Sequence, residues 1–240
     1  MLVTGGGSGI GAAAAQQFAA AGAGVLIADL DEVGAKATVE RIRSIDGNAD
    51  HICADVSDEG QVDEVVARIV NQFGGLDCAF NNAGISLPRT SFTELTVADW
   101  RRLIDVNLTS VFLCMRAELR HMTLHGGGSI VNTASTAGLR PPPRVAPYAA
   151  SKHGIIGLTK SAAGEYTGTD IRINAICPGG TDTPMLRASI GNDPAVTARW
   201  ATRPMSTADD VAAAAVWLCS DAARSVSGAS LVVDRAAMFA

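Results

Sequence analysis

The chain has 240 residues, 48% hydrophobic and 18% charged, so it carries enough apolar surface for one large core and lacks the signature of a disordered chain. A formal net charge of −5 argues against nucleic acid or an acidic membrane surface as a partner, since both favour basic patches. The longest strongly apolar stretch, near 211–219, falls short of the roughly 20 residues needed to span a bilayer, so no membrane partner is expected.

Short apolar runs alternate with longer amphipathic segments along the chain. Strands are expected at 2–4, 25–29, 50–54, 76–81, 128–134, 171–177 and 230–233, and helices at 10–21, 32–44, 59–73, 98–125, 148–166 and 208–220. Strands that are apolar throughout, each followed by a helix, imply a parallel sheet covered on both faces. The expected fold is therefore α/β: a Rossmann-type doubly wound parallel sheet of about seven strands with helices on both faces. It should form one domain over 1–240. The first strand should be short, because only Met1–Thr4 precede a run of glycines. Four prolines make 139–147 a stiff loop. The polar, weakly periodic stretch 185–205 reads as a lid inserted over a site. No basic leader precedes Gly5, and the five cysteines (Cys53, Cys78, Cys114, Cys177, Cys219) form no C-x-x-C pair. A cytoplasmic protein with reduced thiols is the expectation.

Thr4-Gly5-Gly6-Gly7-Ser8-Gly9-Ile10-Gly11 joins the first strand to the first helix. Glycines let the backbone turn tightly and approach a diphosphate, and free N–H groups at a helix start attract its charge. Alone such a run is equally a plain tight turn; its place between strand and helix favours a dinucleotide. About 20 residues on, Asp29 ends the second strand. A carboxylate there can accept from both adenosine-ribose hydroxyls and would repel the 2′-phosphate of NADP, although it could also be a strand-end acid, with Asp31 capping the next helix. Ser8 rather than a basic residue precedes Gly9, and Leu30 rather than a basic residue follows Asp29, which favours NAD.

Tyr148 and Lys152 stand four apart, on one face of a helix. A phenol is a poor base at neutral pH, and a neighbouring ammonium should lower its pKa. By itself Y-x-x-x-K is common, but Ser135 follows an apolar strand 13 residues upstream, where a hydroxyl can polarise a carbonyl. Asn107 sits inside the expected helix 98–125, although asparagine is a poor interior helix former. Asn81-Asn82-Ala83-Gly84 ends the fourth strand, where a sheet of this topology opens its ligand crevice.

Taken in order, T-G-x-x-x-G-x-G, N-N-A-G, the helix asparagine, the serine, Y-x-x-x-K and P-G-x-x-x-T resemble the short, single-domain class of the short-chain dehydrogenase/reductase family, nearly end to end. The local wording is also similar to members acting on cyclic alcohols and dihydrodiols. The resemblance implies that Gly5, Ser8, Gly9, Ile10 and Gly11 line a diphosphate, that Asp29 and Leu30 meet the adenosine ribose, and that Asp55 and Val56 flank the adenine. It implies that Asn81, Ala83 and Gly84 pass beneath the cofactor, and that Pro178, Gly179, Thr181 and Thr183 hold the nicotinamide end. Catalysis would fall to Asn107 (a proton relay through water), Ser135 (aiming the carbonyl), Tyr148 (proton transfer) and Lys152 (tuning Tyr148 and holding the nicotinamide ribose). The implied reaction is NAD-dependent interconversion of a small to mid-sized, apolar or cyclic secondary alcohol and its ketone, in a homotetramer. The alternative is a catalytically silent NAD-sensing or scaffold protein of the same fold, although such proteins usually lack the tyrosine or the lysine. The family's usual Asp-Gly-Gly after the last strand is here Asp234-Arg235-Ala236, which touches no catalytic position.

His121 and His125, spaced i,i+4, suit a helix C-terminus better than a metal, and no metal is expected. Trp200 is a packing residue or a cover for the substrate. Arg140 and Arg144, beside the serine loop, are exposed loop arginines or contacts for an anionic substrate.

Overall fold

The structure is a computed structural model, and it describes residues 1–190, 202 and 205–239. Seven parallel strands form one sheet in the order β3-β2-β1-β4-β5-β6-β7: β1 (Leu2–Thr4), β2 (Val25–Asp29), β3 (Ala49–Cys53), β4 (Cys78–Asn81), β5 (Gly128–Thr133), β6 (Ile171–Pro178) and β7 (Ser230–Val233). The chain winds outward from β1 to β3, then returns to lay β4 against the other side of β1. Adjacent crossovers therefore leave in opposite directions there, opening a crevice at the C-terminal ends of β1 and β4.

Alternate strand residues face opposite ways and build two cores. Leu2, Leu26, Ala79 and Ile130 pack against α3 (Glu59–Phe73), α5 (Ser110–Leu124) and α6 (Ala146–Glu165). Val3, Ile27, Phe80 and Val131 pack against α1 (Gly9–Ala20), α2 (Glu32–Arg43) and the later helix Ala208–Cys219. Fully burying one such aliphatic side chain contributes about 1.5–3 kcal/mol. Two shorter helices complete the described set: α4 (Val97–Ile104) and α7 (Pro184–Ile190), which makes Ala208–Cys219 α8. None of the described helices is long and apolar enough to cross a membrane.

Two expectations change. The segment 98–125 is not one helix: α4 and α5 are joined by a π turn, Asp105–Thr109, with Asn107 buried inside it. The stiff loop ends earlier than its prolines suggest, because Ala146 and Pro147 form the first turn of α6. A proline is tolerated there, where its missing N–H has no helical partner to lose. Of the expected lid, α7 and Met205 are described; 191–201 and 203–204, including Trp200, lie outside the described residues.

Candidate active site

The crevice deepens into a cleft of about 870 Å³ running from the ends of β1 and β2 to the start of α6. Its diphosphate end is made by the glycine turn. Gly5 (φ +66°) and Gly9 (φ +53°) adopt left-handed backbone, and a Cβ on Gly5 would fall 2.8 Å from the Ala83 Cα. Asn82 ties this turn to β4, its Nδ2 donating to the Thr4 and Gly5 carbonyls (3.3 and 3.2 Å), while Thr4 Oγ1 accepts from the Asn82 and Ala83 amides. At the start of α1, Ser8 makes no side-chain cap. Asp31, Asp58, Thr96 and Thr207 cap α2, α3, α4 and α8. The first-turn amides of α1 are thus left facing the cleft, as an anion site requires.

At the adenosine end Asp29 is fixed by two amides, Gly7 N to Oδ2 at 2.7 Å and Asp31 N to Oδ1 at 2.9 Å. Leu30, Asp31, Asp55 and Val56 line this end beside it, with no lysine or arginine among the cleft-lining residues there. Asp31 also caps α2, accepting from the Gly34 amide at 3.1 Å.

At the other end Ser135, Tyr148 and Lys152 meet. Ser135 follows β5 and caps a short turn, Oγ accepting from the Ala137 amide at 3.1 Å. Lys152 is buried, donates to the Thr133 carbonyl at 2.8 Å, and its Nζ lies 5.5 Å from the Tyr148 ring centre. Burial lowers the lysine to about 8. The sequence predicts a phenol pulled down by this ammonium; instead desolvation pushes Tyr148 above its ordinary value, and the Ser135 hydroxyl draws it only part of the way back. The reason is shared burial: the same low-polarity surroundings disfavour both charged forms, the phenolate of Tyr148 and the ammonium of Lys152.

Asn107 is brought to this cluster by the π turn. Its Oδ1 accepts from the Ile85 amide (2.7 Å) and its Nδ2 donates to the Ile85 carbonyl (2.9 Å). A Cβ on Gly84 would stand 3.2 Å from Asn107 Oδ1 and 3.8 Å from Lys152 Nζ, so the two groups converge over that glycine. Pro178, the last residue of β6, and Gly179, Thr181 and Thr183 beyond it line the cleft opposite.

Three of the anticipated site residues do not line it. Gly11 is buried against Gly5, where an added Cβ would meet the Gly5 carbonyl at 2.0 Å. Asn107 reaches the cleft only through Ile85. The Asn81 side chain points into the core, donating to Glu118 Oε2 and Asn132 Oδ1, both at 3.0 Å, and its neighbour Asn82 faces the cleft instead. Burial raises the Glu118 carboxyl to about 8. Asn82 stands in the N-N-A-G segment without a role of its own in the sequence, and Glu118 does not stand out there at all. Among the described residues no cluster of metal-ligating side chains occurs, and His121 and His125 stack at 4.1 Å near the end of α5.

A family model described as enoyl-(acyl carrier protein) reductase matches residues 5–235. The chain is 42% identical to the cis-4-hydroxycyclohexanecarboxylate dehydrogenase of Sinomonas cyclohexanicum, over 97% of this chain and 94% of that protein. The chain belongs to the short-chain dehydrogenase/reductase family. Another member, a 2,5-dichloro-2,5-cyclohexadiene-1,4-diol dehydrogenase of Sphingobium indicum, is 40% identical over 98% of this chain and 94% of its own. The solved structure of levodione reductase superposes with a TM-score of 0.96 at 36% identity, covering 100% of this chain and 97% of that one. As a short-chain dehydrogenase/reductase the protein is an oxidoreductase of the alcohol dehydrogenase type, in a family that uses nicotinamide cofactors.

Proposed function

We propose that the protein is an NAD-dependent dehydrogenase of small to mid-sized, apolar cyclic secondary alcohols, reducing the matching ketones in reverse, with Tyr148 as its acid/base. The observation that carries this reading is one continuous cleft with Asp29 at one end and Ser135, Tyr148 and Lys152 at the other. The relatives named for cyclohexane- and cyclohexadiene-ring alcohols support the substrate class.

The residues present fit a nicotinamide dinucleotide: a glycine cradle with no room for side chains, uncapped amides at the start of α1, and a fixed carboxylate beyond them. Asp29, with Asp31 and Asp55 nearby and no basic residue lining that end, favours NAD over the more negative NADP. Thr181 and Thr183 hold the nicotinamide side, and the cofactor, when bound, supplies the hydride acceptor. Ser135 donates a hydrogen bond to the substrate oxygen. Tyr148 takes the proton of the alcohol as the carbon–hydrogen bond breaks, or returns one to a ketone. Lys152 stabilises the phenolate, and Asn107, drawn beside it, passes the proton towards solvent through water. The domain is read as single, with a lid that begins at α7, where Met185 and Leu186 line the cleft. Exposed Trp100, Phe112 and Leu124 on α4 and α5 suit packing against further copies in a homotetramer, and five free thiols suit the cytoplasm.

Turnover of a panel of ring alcohols, followed by NADH fluorescence, tests the reading. Tyr148→Phe should cut kcat by about 10²–10⁴-fold while NADH binding persists. Wild-type rates in that variant, or no turnover of any ring alcohol by protein that binds NADH, would overturn it.

A further inference from the structure

We infer that Arg89 and Arg140 form an anion subsite at the substrate end of the cleft, so that the preferred ring alcohol carries a carboxylate. The inference rests on the dehydrogenase reading above and deepens it. Its basis is the placement of charge along the cleft. The acids Asp29, Asp31 and Asp55 lie at the adenosine end, and Lys152 in the middle is held by the Thr133 carbonyl. At the far end the charged lining groups are Arg89, Arg140 and Asp234. Asp234 has one oxygen on the Ala236 amide (2.9 Å) and the other on the Met238 amide (2.8 Å), so it is turned into its own turn. Neither guanidinium has an acidic partner within ion-pair distance among the described residues.

Both arginines sit on restrained backbone. The Thr90 amide donates to the Arg144 carbonyl at 3.1 Å, which seats the loop carrying Arg89 against the loop carrying Arg140. Pro141, Pro142 and Pro143 stiffen the latter. Arg140 Nη1 donates to the Met238 carbonyl at 2.6 Å, fixing one edge of the guanidinium and leaving its other donors unspent. Leu87, Val145, Met185, Leu186 and Met238 line the same region. A ring can lie on these apolar surfaces while a carboxylate, matched in shape to the guanidinium fork, meets the two arginines. Both guanidinium groups are exposed, at the rim of the cleft and beside its apolar wall, where an anionic substituent can reach them from solvent.

The experiment compares cis-4-hydroxycyclohexanecarboxylate with its carboxamide, a neutral analogue of nearly the same shape. In parallel, calorimetry measures binding of cyclohexanecarboxylate and cyclohexanecarboxamide, which needs no turnover. The wild type should prefer the carboxylate by about tenfold or more in kcat/KM and in affinity, and the preference should shrink with added salt. In Arg89→Gln and Arg140→Gln the carboxylate-to-carboxamide ratio should fall towards one, and Arg140→Lys, which keeps the charge, should retain part of it. Arg89 makes no side-chain bond to the described residues, so its replacement leaves the fold intact. Equal use and equal binding of the two ligands by wild type, or ratios unmoved in both glutamine variants, overturns the subsite. Selective carboxylate binding, with no turnover of these or any other ring alcohol of the panel by protein that binds NADH, upholds the subsite and overturns the dehydrogenase reading instead.

Discussion

Glu118→Gln should stabilise the protein near neutral pH and do so less as the pH falls. Glu118 is fully buried on α5, with Oε2 accepting from Asn81 and Oε1 without a partner, and its carboxyl is raised from 4.5 to about 8. Its folded pKa lies above the unfolded one, so the stability it contributes is fully present below 4.5 and is lost as pH rises towards 8. The slope is about 1.4 kcal/mol per pH unit, which makes the carboxyl cost about 4 kcal/mol near pH 7.5 relative to a permanently neutral group. A glutamine amide keeps the acceptor for Asn81 but places an NH₂ where Oε1 finds no partner, a penalty of about 1–3 kcal/mol. The net gain near pH 7.5 is therefore about 1–3 kcal/mol. The sharper quantity is the change in the wild-type-to-variant difference between about pH 5.5 and 7.5, which should be about 3 kcal/mol. Urea denaturation at fixed protein concentration measures it. The lowered His121 acts in both proteins and cancels in the difference, while Lys152, lowered to about 8, acts mainly above this window. A difference that stays constant across the window would mean that Glu118 is ionised inside the fold and that its burial does not hold it neutral.

Asp29→Asn removes the carboxylate charge but keeps one acceptor for the Gly7 or Asp31 amide; the ratio of NADP to NAD use in steady-state assays should rise about tenfold or more. Gly11→Ala drives a methyl to 2.0 Å from the Gly5 carbonyl, so thermal unfolding should show a loss of about 1–3 kcal/mol, with weakened NADH binding because the turn shifts. Ala236→Gly should do the opposite in the same assay. Ala236 holds φ +62° where a glycine carries no Cβ penalty, and relief of about 1 kcal/mol should raise Tm.

The strands were legible because each is an apolar run, and the structure moves their ends by only a residue or two. The π turn was not, since one extra residue in a helix leaves no change in composition; the odd asparagine at 107 was its only trace. The two asparagines after Phe80 show where strand parity would have helped. Ala79 packs on the side of α5 and Phe80 on the side of α1, so Asn81 must share the α5 face and Asn82 the face of the glycine turn. Glu118, between Arg116 and Arg120, looks like part of a solvated stripe. Yet Val111, Met115, Glu118 and Met122 follow helical spacing, and all four are buried. The pKa direction at Tyr148 needed the structure, because sequence spacing gives the distance between two groups and not how much water surrounds them.

The π turn also bears on how this chain can change. A regular helix advances about 100° per residue, and the π turn at Asp105–Thr109 takes up one residue more than that spacing allows, so α4 and α5 keep their faces while the turn between them bulges. Removing one residue there would leave a smoother helix with Val111, Met115 and Met122 still against the sheet, but without the bulge that carries Asn107 to Ile85. Substitutions in this region act one side chain at a time, whereas a change in length acts on the cleft and spares the core. The number of residues here, as much as their identity, is what holds the asparagine in place.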